Sequence, residues 1–143
     1  MIFGVLKDIK EGEYRVICTP MEVASIVGAG HTVLVEKDCG AKAGFPDEAY
    51  AKMGATVVET AKEMWEKCDF VAKVKEIEPS EYGYLREGQM IYCCIHPAGH
   101  PEEVQAILDS KCIAITAEDS HRFGSPNCEA AGKQGALFGL ESM

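Results

Sequence analysis

Short apolar blocks recur along this chain, separated by segments in which apolar residues return every third or fourth position. Compact runs rich in β-branched residues at 2–6, 32–36, 56–58, 70–74, 90–95 and 112–115 predict strands. Between the first two, Thr19 supplies an N-cap and Pro20 a first-turn residue for a helix. Its apolar stripe is Met21, Ala24, Ile26 and Val27, and Gly28-Ala29-Gly30 stops it. A short helix is expected over 47–53, closed by Gly54. Thr60 and Glu63 have the spacing of a capping box for a helix through Lys67. Residues 80–85 predict a single helical turn. Pro101 opens a helix with Val104, Ile107 and Leu108 on its buried side, and a last helix is expected from about Cys128.

Strand and helix alternate throughout, which predicts α/β architecture: a parallel-rich sheet with helices on both faces, a Rossmann- or flavodoxin-like layered domain. With 143 residues the chain is expected to form one domain, 1–143, with an ordinary core. One motif is missing. No strand runs through G-x-G-x-x-G into a helix, and Gly28-Ala29-Gly30 closes a helix where a nucleotide site would open one.

Composition narrows the partners. The net charge of −9 leaves no basic stripe to neutralise phosphates, so neither nucleic acid nor an anionic membrane is expected as a partner. No apolar run approaches the roughly 20 residues of a membrane span, and the first ten residues read as a strand and loop, not as a secretory leader. The 7 cysteines are odd in number and lack C-x-x-C spacing, which fits a reduced, cytoplasmic protein better than a disulfide framework or a zinc site. Cys93, Cys94 and Cys112 lie in apolar runs and are expected to pack as small hydrophobes.

Ligands of open α/β sheets gather beyond the carboxyl ends of the strands. Lys75 follows the fourth predicted strand and His96 the fifth, so an amine and an imidazole are expected at one rim. Lys75 can polarise a carbonyl; its bland reading is a solvated strand-end lysine. Imidazole ordinarily titrates near neutrality and suits proton transfer, although a lone strand-end histidine is often structural. Lys73, on the same side as Lys75 by strand period, reads as a snorkelling surface lysine. Arg15 suits bidentate capture of a carboxylate, or is a surface charge. Glu118 and Asp119, beyond the sixth strand, either orient a ligand or cap the loop. His31 and His121 read as surface residues, and His100 as a neighbour of the helix cap. A His96/His100 metal pair is disfavoured by the intervening P-A-G. Glu76, Glu78 and Glu81 read as a solvated acidic face.

Several segments carry a family resemblance: I-F-G-V-L-K-D-I-K-E-G-E-Y-R-V at 2–16, T-P-M-E-V at 19–23, G-H-T-V-L-V-E at 30–36, G-F-P-D-E-A-Y at 44–50, M-G-A at 53–55, D-F-V-A-K-V-K-E at 69–76 and Y-L-R-E-G-Q at 84–89. In register over nearly the whole chain, they resemble the amino-terminal domain of the alanine dehydrogenase and pyridine nucleotide transhydrogenase family. The resemblance implies that Arg15 and Lys75 hold the carboxylate and carbonyl of a 2-oxo acid such as pyruvate; Glu118, by its place beyond the sixth strand, is expected as a further substrate contact. It implies that His96 is the acid/base, and with Lys75 forms the catalytic pair. It favours the dehydrogenase branch, because the transhydrogenase branch lacks the lysine and histidine at these positions. The implied cofactor is NAD or NADP, bound mainly by a second domain or a separate subunit. Independently, the apolar residues Ala130, Ala131, Ala136, Leu137, Phe138 and Leu140 of the last helix predict a homo-oligomer.

Three departures matter. C-E-A-A-G-K at 128–133 resembles the helix leading into the family's nucleotide domain, so 126–143 is expected to begin that connection and the chain to be inactive by itself. Ala117 replaces the family's aromatic residue before the acidic one. H-P-A-G at 96–99 is closer to the opine-type carboxyethylornithine synthases, which opens an alternative in which an amino acid replaces ammonia. A stand-alone module that senses a 2-oxo acid or amino acid is the other alternative.

Overall fold

The computed structural model describes residues 1–118, 120 and 126–143, with the backbone alone at 126 and 127. Six strands form one sheet: β1 (Ile2–Val5), β2 (Thr32–Glu36), β3 (Thr56–Val58), β4 (Phe70–Ala72), β5 (Met90–Cys93) and β6 (Ile113–Thr116). All neighbouring pairs are parallel, in the order β3-β2-β1-β4-β5-β6. Strand order reverses between β1 and β4, so the crevice beyond their carboxyl ends is the place such a sheet offers a ligand.

Helices cover both faces, as the alternating pattern predicts. On one side α1 (Pro20–Gly28) and α2 (Asp47–Lys52) enclose Val5, Val23, Val33, Val35 and Tyr50. On the other, α3 (Ala61–Lys67) carries Met64 and Trp65 onto Leu6, Val71, Ile91 and Cys93, with Ile107 of α4 (Pro101–Ser110) against them. Each such buried aliphatic contributes about 1.5–3 kcal/mol. Gly4 lets α3 approach the sheet, because a Cβ there would stand 2.6 Å from Cys68 Sγ. The last helix, α5 (Pro126–Glu141), has every described side chain exposed. No helix among the described residues is long and apolar enough to cross a membrane.

Caps follow local chemistry. Thr19 and Glu22 form a reciprocal capping box at α1. At α3 Thr60 Oγ1 accepts from Glu63 N at 3.3 Å, while the Glu63 carboxylate turns to Lys67 one helical turn on. The expected turn at 80–85 is a 3₁₀ helix over Tyr82–Tyr84.

Side-chain burial departs from the pattern in four places. Met21 is 76% exposed, and Val23 takes the buried position on α1. On α4 Leu108 is 64% exposed, while Glu103, which a polar/apolar reading places outside, is fully buried. Lys73 is no surface lysine: it is 0% exposed and donates to Glu81 Oε2 at 2.5 Å. The predicted acidic face is likewise interior in part, because Glu76 and Glu81 are buried and only Glu78 keeps partial exposure. The reason lies in the backbone. β4 ends at Ala72 and the chain bends at 74–75, so strand period no longer governs where Lys73 and Lys75 point.

Candidate functional site

Four loops leave the carboxyl edge of the sheet toward one hollow. Arg15 lies in the loop after β1, Lys75 just beyond β4, His96 just beyond β5 and Glu118 just beyond β6. With Cys94, Cys128 and Ala131 these residues line a cavity of about 280 Å³. The structure therefore brings together all four candidates named from the sequence. Asp119 and His121 lie outside the described residues.

Arg15 is held before any ligand arrives. Its Nε and Nη2 donate to the two oxygens of Glu13 at 2.8 and 2.6 Å, and its backbone N–H donates to Glu13 Oε1 at 2.9 Å. The Arg15 guanidinium holds the Glu13 carboxyl down at about 2, against an opposing push from burial. One edge of the fork, Nε and Nη2, is thus occupied by Glu13. Lys75 donates its backbone N–H to Asp8 Oδ2 at 2.8 Å, and its side chain reaches the cavity.

His96 sits in the left-handed region, φ +48°, a conformation rare for a residue with a Cβ. Its N–H donates to Glu118 Oε1 at 2.6 Å, and Nδ1 stands 3.8 Å from the same oxygen. Glu118 also accepts from Ile95 N at 3.3 Å and from the Thr116 hydroxyl. Burial pushes the Glu118 carboxyl up, but these donors and His96 outweigh it and the net displacement is downward, so it stays ionised at neutral pH. Cys94, partly buried, contributes a thiol whose titration burial pushes up, leaving it neutral at neutral pH.

Three site residues were not foreseen from the sequence. Glu13 and Asp8 sit in the loop after β1, and their signal was position alone: carboxylates at the end of the switch-point strand. Cys94 was read as core filler, because an apolar run does not tell its last inward residue from its first outward one. The other histidines lie elsewhere. His31 stacks on Phe3 at 5.1 Å between ring centroids, and His100 occupies the N-cap position of α4 with Nε2 3.6 Å from Glu76 Oε1. His100 thus borders a second, larger hollow of about 440 Å³, lined also by Lys10, Tyr82 and Glu102. It is not a partner of His96.

The family model "Alanine dehydrogenase/PNT, N-terminal domain" matches residues 4–126. The chain belongs to this family. It is 38% identical over 148 residues to the alanine dehydrogenase of Bacillus subtilis, covering 100% of this chain and 39% of that protein. Among solved structures, an L-alanine dehydrogenase superposes with TM-score 0.80 at 39% identity, over 82% of this chain and 32% of that one. The transhydrogenase of Sinorhizobium meliloti superposes with TM-score 0.79 at 26% identity, over 85% and 36%. The chain thus spans about two fifths of the length of the curated relatives it matches.

The loop after β1 carries Asp8, Glu11 and Glu13 together with Lys7, Lys10 and Arg15, and it lacks the G-x-G-x-x-G pattern that cradles a pyrophosphate ahead of a helix.

Proposed function

We propose that this domain is the substrate-holding part of an NAD(P)-dependent amino-acid dehydrogenase, acting on a small 2-oxo acid and the corresponding amino acid. One observation carries the reading: Arg15, Lys75 and His96, which come from three separate loops, line a single hollow sized for such a molecule. Arg15 offers its free edge to the ligand carboxylate. Lys75 hydrogen-bonds the carbonyl oxygen and draws electron density from the 2-carbon. His96 exchanges the proton at the carbonyl or amino group. In this reading the nucleotide belongs to a portion of the relatives that this chain does not span, and α5 is the start of the connection to it. The exposed Leu137, Phe138 and Leu140 of α5 further support self-association, which sedimentation of the 143-residue chain reads directly.

Calorimetric titration of the chain with pyruvate tests the central assignment. Saturable binding is expected, with a loss of about tenfold or more in Lys75→Ala, where a charge-assisted hydrogen bond goes. His96→Ala should weaken binding less, because its role lies in proton exchange. Absence of pyruvate binding in the parent chain would overturn the reading. A second titration with ornithine, in the presence of pyruvate, separates an opine-type site from one that uses ammonia.

A further inference from the structure

Each of the three residues assigned above to the substrate has its backbone N–H bonded to a carboxylate. Arg15 donates to Glu13 at 2.9 Å, Lys75 to Asp8 at 2.8 Å and His96 to Glu118 at 2.6 Å. In the first two cases the carboxylate comes from the loop after β1, and in the third from the end of β6. Ordinary loop residues satisfy their N–H groups with water or with neighbouring carbonyls. A charged acceptor under each of three converging residues is a stronger and more directional hold.

Glu118 stands apart from the other two in what it has left to give. An ionised carboxylate has about four lone-pair sites. Three are taken by the N–H groups of Ile95 and His96 and the Thr116 hydroxyl. His96 Nδ1 stands 3.8 Å from Oε1, on the same oxygen that accepts the His96 N–H. The carboxylate therefore has little capacity for a substrate, although it lines the hollow. It also pins the two N–H groups that lead into the left-handed turn at His96, where φ is +48°. A residue with a Cβ keeps that conformation only when its surroundings impose it.

We infer that Glu118 is the positioning residue of His96: it imposes the backbone turn that aims the imidazole at the hollow and draws Nδ1–H toward itself. The other nitrogen, Nε2, is then left with its lone pair to take a proton from the ligand. When it does, Nδ1 keeps its own hydrogen, and the imidazolium charge is offset by the adjacent carboxylate. The inference rests on the assignment of His96 above, and it replaces a direct contact between Glu118 and substrate with an action through His96.

The test reads the ring itself. The chain, labelled with ¹⁵N at histidine, is studied at pH 9, far above the ordinary range of imidazole, with His96 assigned by its loss in His96→Gln. In the parent, the His96 Nδ1 signal should be of the protonated type and Nε2 of the lone-pair type. In Glu118→Gln the balance should move by about tenfold toward Nε2–H, as a charge-assisted bond becomes a neutral one. Signals of His31 and His100 should stay where they are. If Glu118→Gln fails to fold, Glu118→Asp is read in the same way, since it draws the carboxylate back from the ring while keeping its charge. Unchanged tautomer populations in a folded variant overturn the inference, whether or not pyruvate binds. Failure of pyruvate to bind the parent, with the tautomer shift intact, strikes the functional reading instead.

Discussion

Lys73 and Lys75 lie two residues apart beyond the same strand, yet they occupy opposite surroundings. Lys73 is fully buried and tied to Glu81, and its charge acts on buried Glu103 of α4, which accepts from Ile77 N. Lys75 opens into the hollow with Arg15 and His96. The same side chain therefore serves stability in the interior and, in the proposed function, recognition at the rim. What separates the two is solvent: a buried charge must be paired to persist, whereas a rim charge is free to await a ligand.

Removing Lys73 should break this contrast most severely. Lys73→Met strands the Glu81 carboxylate in the core and should cost about 3–5 kcal/mol of unfolding free energy in a urea titration. Lys73→Met with Glu81→Leu should recover most of that. A loss below about 1 kcal/mol in the single variant would mean that the pair does not organise this region.

Glu103 sharpens the interior half of the comparison. Its Oε1 accepts from Ile77 N at 2.7 Å, but burial raises its titration from 4.5 to about 7, with that hydrogen bond and then Lys73 only partly offsetting this. A carboxyl raised in the folded state binds its proton more tightly there than in the unfolded chain. Its contribution is therefore full below about 4.5 and is lost as pH rises through about 7. Thermal unfolding across that window should show this decline, and Glu103→Gln should abolish it, with a gain on the order of 2 kcal/mol above neutrality. A variant whose stability falls with pH as steeply as the parent's would refute the assignment.

The smallest effect belongs to the rim. Lys75→Met should change unfolding free energy by no more than about 0.5 kcal/mol, since the ammonium is not needed for packing. Stability and pyruvate affinity should thus respond in opposite proportions at positions 73 and 75. A large loss of stability at Lys75 would dissolve the distinction.

Much of the scaffold was legible beforehand. The runs at 32–36 and 56–58 became β2 and β3 without change, and Thr19-Pro20 opened α1 as its capping chemistry requires. The rim was legible too, since Lys75 and His96 follow strands whose carboxyl ends must lie together in a parallel sheet. The burial of Lys73, Glu76, Glu81 and Glu103 was not. A polar residue announces a need for a partner, but not where that partner will be. Met21 and Leu108 erred the other way, as apolar residues whose helix faces look away from the sheet.

By itself, then, the sequence determined the element types, their order and the end of the sheet at which Lys75 and His96 emerge. These follow from interactions within a few residues: periodicity, caps and strand-breaking turns. Only the tertiary structure decided which charges were enclosed, which carboxylate stood under each site residue, and that Glu118 faces His96. Those outcomes depend on contacts between segments far apart in the chain, such as the 22 residues separating His96 from Glu118, and no local pattern records them.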